Sequence, residues 1–278
     1  MPAVSLVTYH AEVAVAVGAL DAALRSGQGP AAALLVLDQH LTGPAVSDVL
    51  DRSRGTRRQV LAAIGRELAR PWVPGSSARL GRSMQARILL LHQIDVLWWS
   101  HLTPYADAAS VAAAPHLISL PGLRREGRLR FRYAVQPERW AGRGRDYVLR
   151  RALPGRRPHV AGMKFLAARP EMVHVLNQIS DELRAAAPAG TPALWVNSLV
   201  RSVEHQQHLA TLGYAAHLPS SHCLGYAADV EVGWFERFGA AEALREILLH
   251  HRDADRLNVI DEGRAWHLCL SPDHAGTS

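Results

Sequence analysis

Cysteine, lysine and long apolar runs are what this chain of 278 residues has least of. Its only cysteines are Cys223 and Cys269, which excludes a disulfide framework as the source of stability. Free cysteine packs as a small hydrophobe, so both are expected as core thiols, with a single disulfide or a place beside a metal as the alternatives. Lys164 is the only lysine, and the other basic side chains are arginines and histidines. No run of about eighteen uninterrupted apolar residues occurs, which argues against a transmembrane segment. The apolar stretch at residues 11–20 does not have the pattern of an export signal. Glu12 interrupts it, no basic residue precedes it and no clear small-residue cleavage site follows. A cytoplasmic location is therefore expected. No internal repeat is visible.

What is present fits a globular chain large enough for a substantial core, with 48% hydrophobic and 20% charged residues. The formal charge of +6 is unevenly placed. Residues 121–160 hold twelve arginines against Glu126, Glu138 and Asp146, a local net of +9 that leaves the rest of the chain at −3. Such a segment suits an anionic polymer such as nucleic acid, phospholipid headgroups or a cell-wall polymer; the plainer reading is a solvated arginine face.

Apolar periodicity divides the chain into three parts. Residues 1–120 read as a helical N-terminal region. Val13, Val17, Leu20 and Leu24 line one face of a helix ending near Gly27, a second helix runs over 46–69, and a third over 83–100 carries Ile88, Leu91, Ile94 and Trp98 on one face. The Trp98-Trp99 pair is expected in the core. Residues 121–158 read as a basic β-hairpin and linker. Arginines alternate with Leu129, Phe131 and Tyr133 in a first strand, residues 146–153 form a second, and the proline- and glycine-rich 154–158 is the linker. Residues 159–278 read as a compact α+β unit, a small antiparallel sheet with flanking helices. Its helices are expected around Met172 to Leu183, over 204–212 and over 240–251. Its strands begin at Leu194 and cover 227–232, 257–260 and 265–270, the last two joined by the turn Asp261-Glu262-Gly263-Arg264.

Within that unit His222 and Asp229 stand seven residues apart, separated by glycine and small residues, with Asp229 in a strand. His267 begins another strand. Two imidazoles, one carboxylate and an open fourth position make the donor set of a catalytic zinc site. Gly225 lets the backbone turn sharply between the first two donors. Trp266 either shields the metal or is an ordinary core aromatic. Glu204-His205-Gln206-Gln207-His208 lacks the His-Glu-x-x-His order of a zincin helix, so His205 and His208 are read as a helix face beside the site. His250 and His251 fall at a helix C-terminus, where cations suit the dipole.

The stretch from Ser220 to Asp229 resembles the Ser-x-His-x-x-Gly-x-Ala-x-Asp signature of the LAS-type zinc peptidases. That group includes D-alanyl-D-alanine carboxypeptidases and dipeptidases, lysostaphin-like endopeptidases and the hedgehog signalling domain. Trp266-His267 resembles the closing Trp-His of the D-alanyl-D-alanine branch. Ser198, Arg201, Ser202 and Gln206 resemble its Ser-x-x-Arg-Ser-x-x-x-Gln element. The three motifs occur in the family's order, and the likeness covers residues 163–278. It implies a hedgehog- or peptidase-like fold and a zinc ion held by His222, Asp229 and His267. It further implies that Arg201 anchors substrate or polarises the scissile carbonyl, and that Ser220 and Gln206 shape the pocket. The implied substrates are peptides, notably peptidoglycan stem or D-Ala-containing peptides.

One departure stands out. The branch has its general-base glutamate three residues before the last histidine, where this chain has Arg264. Glu262, in the predicted turn, is the candidate general base. Glu231 is the alternative, because it shares a strand face with Asp229, and Asp261 comes third. With no such base the chain reads as a non-catalytic, zinc-stabilised binding module. A polyanion-binding protein using the arginine hairpin is the remaining alternative. Action on a cell wall would require release by a non-classical route.

Overall fold

Among the described residues, the first hundred positions form α1 (Leu6–Arg25), α2 (Pro30–His40), α3 (Pro44–Arg52), α4 (Arg57–Ala69) and α5 (Arg82–Trp98). The structure is a computed structural model that describes residues 4–53, 57–69, 81–136, 155, 157–158, 160–212 and 216–275. Pro30 and Pro44 open their helices at positions where the missing N–H costs nothing and the fixed φ already suits a helix. The single helix expected over 46–69 is instead two. Ser53 is extended, which ends α3 at Arg52. α2 has apolar residues around much of its circumference and therefore shows no clear stripe in sequence. By length and composition α1 qualifies as a membrane-crossing helix, yet its Leu6, Tyr9, Val13, Val17 and Leu20 lie in the bundle core.

The rest of the chain adds α6 (Ala108–Ala112), β1 (Ile118–Ser119), α7 (Leu120–Arg125), β2 (Arg132–Tyr133), β3 (Ala167–Ala168), α8 (Pro170–Ala186) and β4 (Trp195–Ser198). Then follow α9 (Val203–Thr211), β5 (Ala227–Glu231), α10 (Ala241–Asp253), β6 (Leu257–Asp261) and β7 (Ala265–Leu270), with short 3-10 turns at Ser221–Leu224, Gly233–Phe238 and Pro272–His274. The fold is mixed α and β. The main sheet runs β2-β4-β5-β7-β6, and β1 pairs with β3 apart from it.

Pairing from β4 through β6 is antiparallel, as expected, but the edge strand β2 joins β4 in parallel. That pairing corrects the first arm of the expected basic hairpin, which reaches strand geometry only at Arg132 and Tyr133. Its burial still alternates as the sequence suggests: Phe131 is buried, Leu129 and Tyr133 pack against the core, and Arg128, Arg130 and Arg132 are exposed. The backbone around Arg130 is held by α8, through Asn177 and the Ser180 hydroxyl. The second arm, 146–153, lies outside the described residues, as does most of the linker.

The two faces of the sheet meet different partners. Val230, Leu257, Val259, Trp266, Leu268 and Leu270 project to one side and share a core with Leu176, Leu183, Leu244 and Leu248 of α8 and α10. On the other side Ile260 joins the core of the helical bundle, because α5 packs over β6. Trp98 touches both cores, while Trp99 belongs to that of the sheet. The bundle-facing side of the sheet carries Asn258, Asp229 and His267 among its apolar neighbours. Polar residues at such a packed junction must find partners.

Candidate metal centre

Register places the donors. Asp229 of β5 lies directly opposite His267 of β7, which in turn lies opposite Ile260 of β6, so all three share the face under α5. The 3-10 turn Ser221–Leu224 then brings His222 in from the side. Gly225, at φ +81°, closes that turn, and its N–H donates to the His222 carbonyl at 3.2 Å. His222 Nε2 stands 3.1 Å and His267 Nδ1 3.2 Å from Asp229 Oδ1. Donors at about 2.0–2.1 Å from a zinc ion in a tetrahedron are about 3.3 Å apart. The sequence-predicted trio therefore converges with the spacing that a metal ion needs, and these buried groups could hold one.

The nitrogens pointing away from this cluster are also engaged. His222 Nδ1 lies 2.6 Å from the Leu199 carbonyl, which can only accept, so the proton sits on Nδ1 and Nε2 offers its lone pair. His267 Nε2 lies 3.0 Å from Asp95 Oδ2. Outer partners of this kind orient imidazole ligands and raise their basicity. Asp95 comes from α5 in the bundle and is 1% exposed. Its Oδ1 accepts from Asn258 Nδ2 at 2.7 Å, and its Oδ2 stands 3.2 Å from His92 Nδ1. Asn258 in turn meets His10 of α1 at 2.7 Å and donates to the Leu91 carbonyl at 3.0 Å.

The cluster is strongly polarised. Burial would lower the pKa of His267, but hydrogen bonds to Asp229 and Asp95, and their charges, raise it to about 10 in the metal-free protein. Burial opposes ionisation of Asp95 as well, yet its bonds to His267 and His92 hold its carboxyl below the usual range. Asp229 is depressed too: burial is outweighed by the charges of His222 and Arg201. His222 moves down, through burial first and then the nearby Arg201.

Arg201 is at the site as expected. Its Nη2 donates to Asp229 Oδ2 at 2.5 Å, its Nε to Ser198 Oγ at 2.8 Å and its Nη1 to Gln206 Oε1 at 3.1 Å. A guanidinium has five N–H donors, and these bonds use three of them. Gln206 is buried and acts on Arg201, with its amide nitrogen donating to the His217 carbonyl at 3.1 Å. Ser220 sits on a cleft of about 80 Å³ lined also by Trp99, Leu102, Leu218 and Cys223, with Asp95 in its wall. Both cysteines are free and buried, and burial pushes the Cys223 thiol up to about 11. Trp266 projects from the opposite face of β7 to His267, into the core, and does not shield the donors.

The carboxylates considered as bases occupy distinct places. Glu231, Ala265 and Glu262 form the row next to Asp229, His267 and Ile260 on the same sheet face, the Glu262 amide donating to the Ala265 carbonyl at 3.2 Å. Glu231 is buried, accepts from Asn197 Nδ2 at 3.1 Å and lies 3.4 Å from Arg264 Nη2. Arg264, where the resemblance calls for a glutamate, thus supplies a counter-charge to Glu231. Glu262 Oε1 stands 3.1 Å from His92 Nε2, so His92 lies between it and Asp95. Asp261 accepts from the Gly263 amide at 2.7 Å and shapes the hairpin turn. His205 is buried beside Phe165, and burial together with the Lys164 charge lowers its pKa to about 4. His251 is buried against Glu182 at 2.9 Å rather than serving as a solvated helix-end cation.

Sequence reasoning missed His92, Asp95 and Asn258. One signal for Asp95 was present: it is the only acidic residue in the apolar run from Ile88 to Trp99. A carboxylate in a helix buried on most sides is almost never left unpaired. Comparison with protein-family models, curated proteins and solved structures found no match to this chain.

Proposed function

We propose that the chain is a zinc-dependent hydrolase of peptide bonds. The convergence of His222 Nε2 at 3.1 Å and His267 Nδ1 at 3.2 Å on the same oxygen, Asp229 Oδ1, beside the Arg201 guanidinium, carries that reading. Two imidazoles and one carboxylate are the donor set of catalytic zinc, which when bound acidifies water and polarises a carbonyl. Leu199 and Asp95 hold the two rings so that the donor nitrogens face inward. Arg201 presents its remaining donors to a substrate carboxylate or carbonyl, which its planar fork matches. A glutamate on the row beside the donors takes a proton from the attacking water and returns it to the leaving amine. Glu262 is the candidate for this role and Glu231 the alternative; both lie on the sheet face that carries the donors. The resemblance of residues 163–278 to the LAS-type peptidases favours stem peptides of peptidoglycan, or other peptides ending in D-Ala, as substrates.

The test is release of D-alanine from a synthetic stem pentapeptide by the zinc-loaded protein. His222→Ala should abolish it, and Glu262→Gln should slow it by about 100-fold or more if Glu262 is the general base. Unchanged turnover in Glu262→Gln moves the role to Glu231. No release from any D-Ala-terminated peptide by a zinc-loaded, folded protein sinks the peptidase reading.

A second reading is a zinc-stabilised binding module without hydrolysis. It is favoured by the engagement of both glutamates, Glu262 with His92 and Glu231 with Asn197 and Arg264. Binding of zinc without turnover, in variants as in the parent, is its signature.

A further inference from the structure

We propose that His92, Asp95 and His267 form a second cation site, sharing the His267 ring with the first. Each nitrogen of that ring faces a carboxylate oxygen with a further imidazole beside it. On one side Nδ1 meets Asp229 Oδ1 at 3.2 Å, with His222 Nε2 at 3.1 Å from the same oxygen. On the other, Nε2 meets Asp95 Oδ2 at 3.0 Å, with His92 Nδ1 at 3.2 Å from it. The ring centroids repeat the pattern, 5.0 Å from His267 to His222 and 4.3 Å to His92. Chemically and geometrically the two triads are near-copies, so spacing that suits a metal in one suits it in the other.

The outer contacts of the second triad are those expected around ligands. Glu262 holds the far nitrogen of His92 at 3.1 Å, a carboxylate behind an imidazole, and Asn258 holds the far oxygen of Asp95 at 2.7 Å. The charge environment is more favourable to a cation than in the first triad. Asp229 already carries the Arg201 guanidinium, whereas Asp95 faces the neutral Asn258 amide and has the Glu262 carboxylate nearby. His92 and Glu262 are 24% and 28% exposed, which gives an ion a way in from solvent. Imidazole-rich donors with one carboxylate select zinc, cobalt, nickel or copper rather than magnesium or calcium. To serve both sites, His267 would offer Nδ1 beside Asp229 and Nε2 beside Asp95, which requires both ring protons to pass to solvent.

The test is metal stoichiometry, not turnover, so it is independent of the peptidase reading. Protein stripped with a chelator is titrated with Zn²⁺ and, for its visible spectrum, with Co²⁺. The wild type should take up two equivalents, and His92→Ala and His222→Ala one each, with different Co²⁺ spectra. The doubly Cu²⁺-loaded wild type should show spin-coupled copper by electron paramagnetic resonance, and His92→Ala an isolated centre. His92→Gln replaces His92→Ala if the latter fails to melt cooperatively. A single equivalent in the wild type, either unaffected by His92 substitution or lost in both variants, overturns the second site while leaving the first. Two equivalents of which none depends on His92 overturn it as well. One equivalent that survives in His222→Ala but not in His92→Ala upholds it and removes the first. No uptake by a folded wild type removes both.

Discussion

Asp95→Asn is nearly isosteric, yet it should cripple the first triad from behind. At present Asp95 Oδ1 accepts from Asn258 Nδ2, and Oδ2 faces His267 Nε2 at 3.0 Å. An asparagine must keep its oxygen toward Asn258, because that amide only donates from this nitrogen. Its own NH₂ then faces His267, and the ring must accept at Nε2. The ring proton is thereby driven onto Nδ1, the nitrogen that faces Asp229 and would ligate the metal. Loss of an outer carboxylate of this type costs about 10–100-fold in metal affinity, equivalent to about 1.4–2.7 kcal/mol. The measurement is competition for Zn²⁺ against a chromophoric chelator near neutral pH, made in the His92→Ala background so that only the first triad is read. Thermal melting of the metal-free proteins confirms that each is folded. Zinc affinity unchanged by Asp95→Asn would refute the claim that Asp95 sets the tautomer of His267.

Three further outcomes are expected. Gly225→Ala places a side chain at φ +81°, with its Cβ 3.2 Å from Arg169 Cγ, so strain of about 1–2 kcal/mol should appear as a lower urea midpoint and weakened zinc binding; an unchanged midpoint contradicts it. Trp99→Ala removes a ring stacked on Tyr226 at 3.5 Å and a hydrogen bond from its Nε1 to the Leu270 carbonyl. The loss should be about 3–5 kcal/mol by denaturant titration, and a loss under about 1 kcal/mol would show the site collapses freely. Burial, opposed by the bond to Asn258, lowers His10 from 6.5 to about 4. Its neutral form is the one the fold accepts, so its contribution is complete above pH 6.5 and is lost as pH falls toward 4. That amounts to about 3 kcal/mol of acid destabilisation, which His10→Gln should reduce in a melting-temperature profile.

Much of the sheet half was legible because its signals are local. Short apolar runs marked β5, β6 and β7, glycine marked the hairpin turn, and the His222 to Asp229 spacing carried a usable expectation about ligands. Each of these depends on residues close in sequence. Gln206 was expected from its motif position to shape the pocket, and the fold sets its side-chain oxygen on Arg201, a contact that the motif alone does not give. The arginine-rich arm shows a different limit. Its alternation correctly told which side chains are buried, but alternation is silent on the partner strand, and β4 takes β2 in parallel. Asp95 and Asn258 were hidden for a third reason: they are 163 residues apart, and only the docking of α5 on β6 makes them neighbours.

That docking also explains why the helical bundle is more than an appendage to the sheet that carries the candidate donors. A small sheet whose bundle-facing side carries Asp229, His267 and Asn258 cannot bury these groups alone without paying their desolvation. α5 resolves this by presenting Asp95 and His92 in register with the sheet, while Ile260 fills the bundle core a residue away. α1 extends the same chain of contacts through His10 to Asn258, and its Leu6 amide is held by Asp255 at 2.7 Å. The donors of the centre are therefore fixed by both halves of the molecule at once. A substitution at the bundle–sheet seam that leaves both apolar cores intact, such as Asn258→Leu, should act on metal affinity through Asp95.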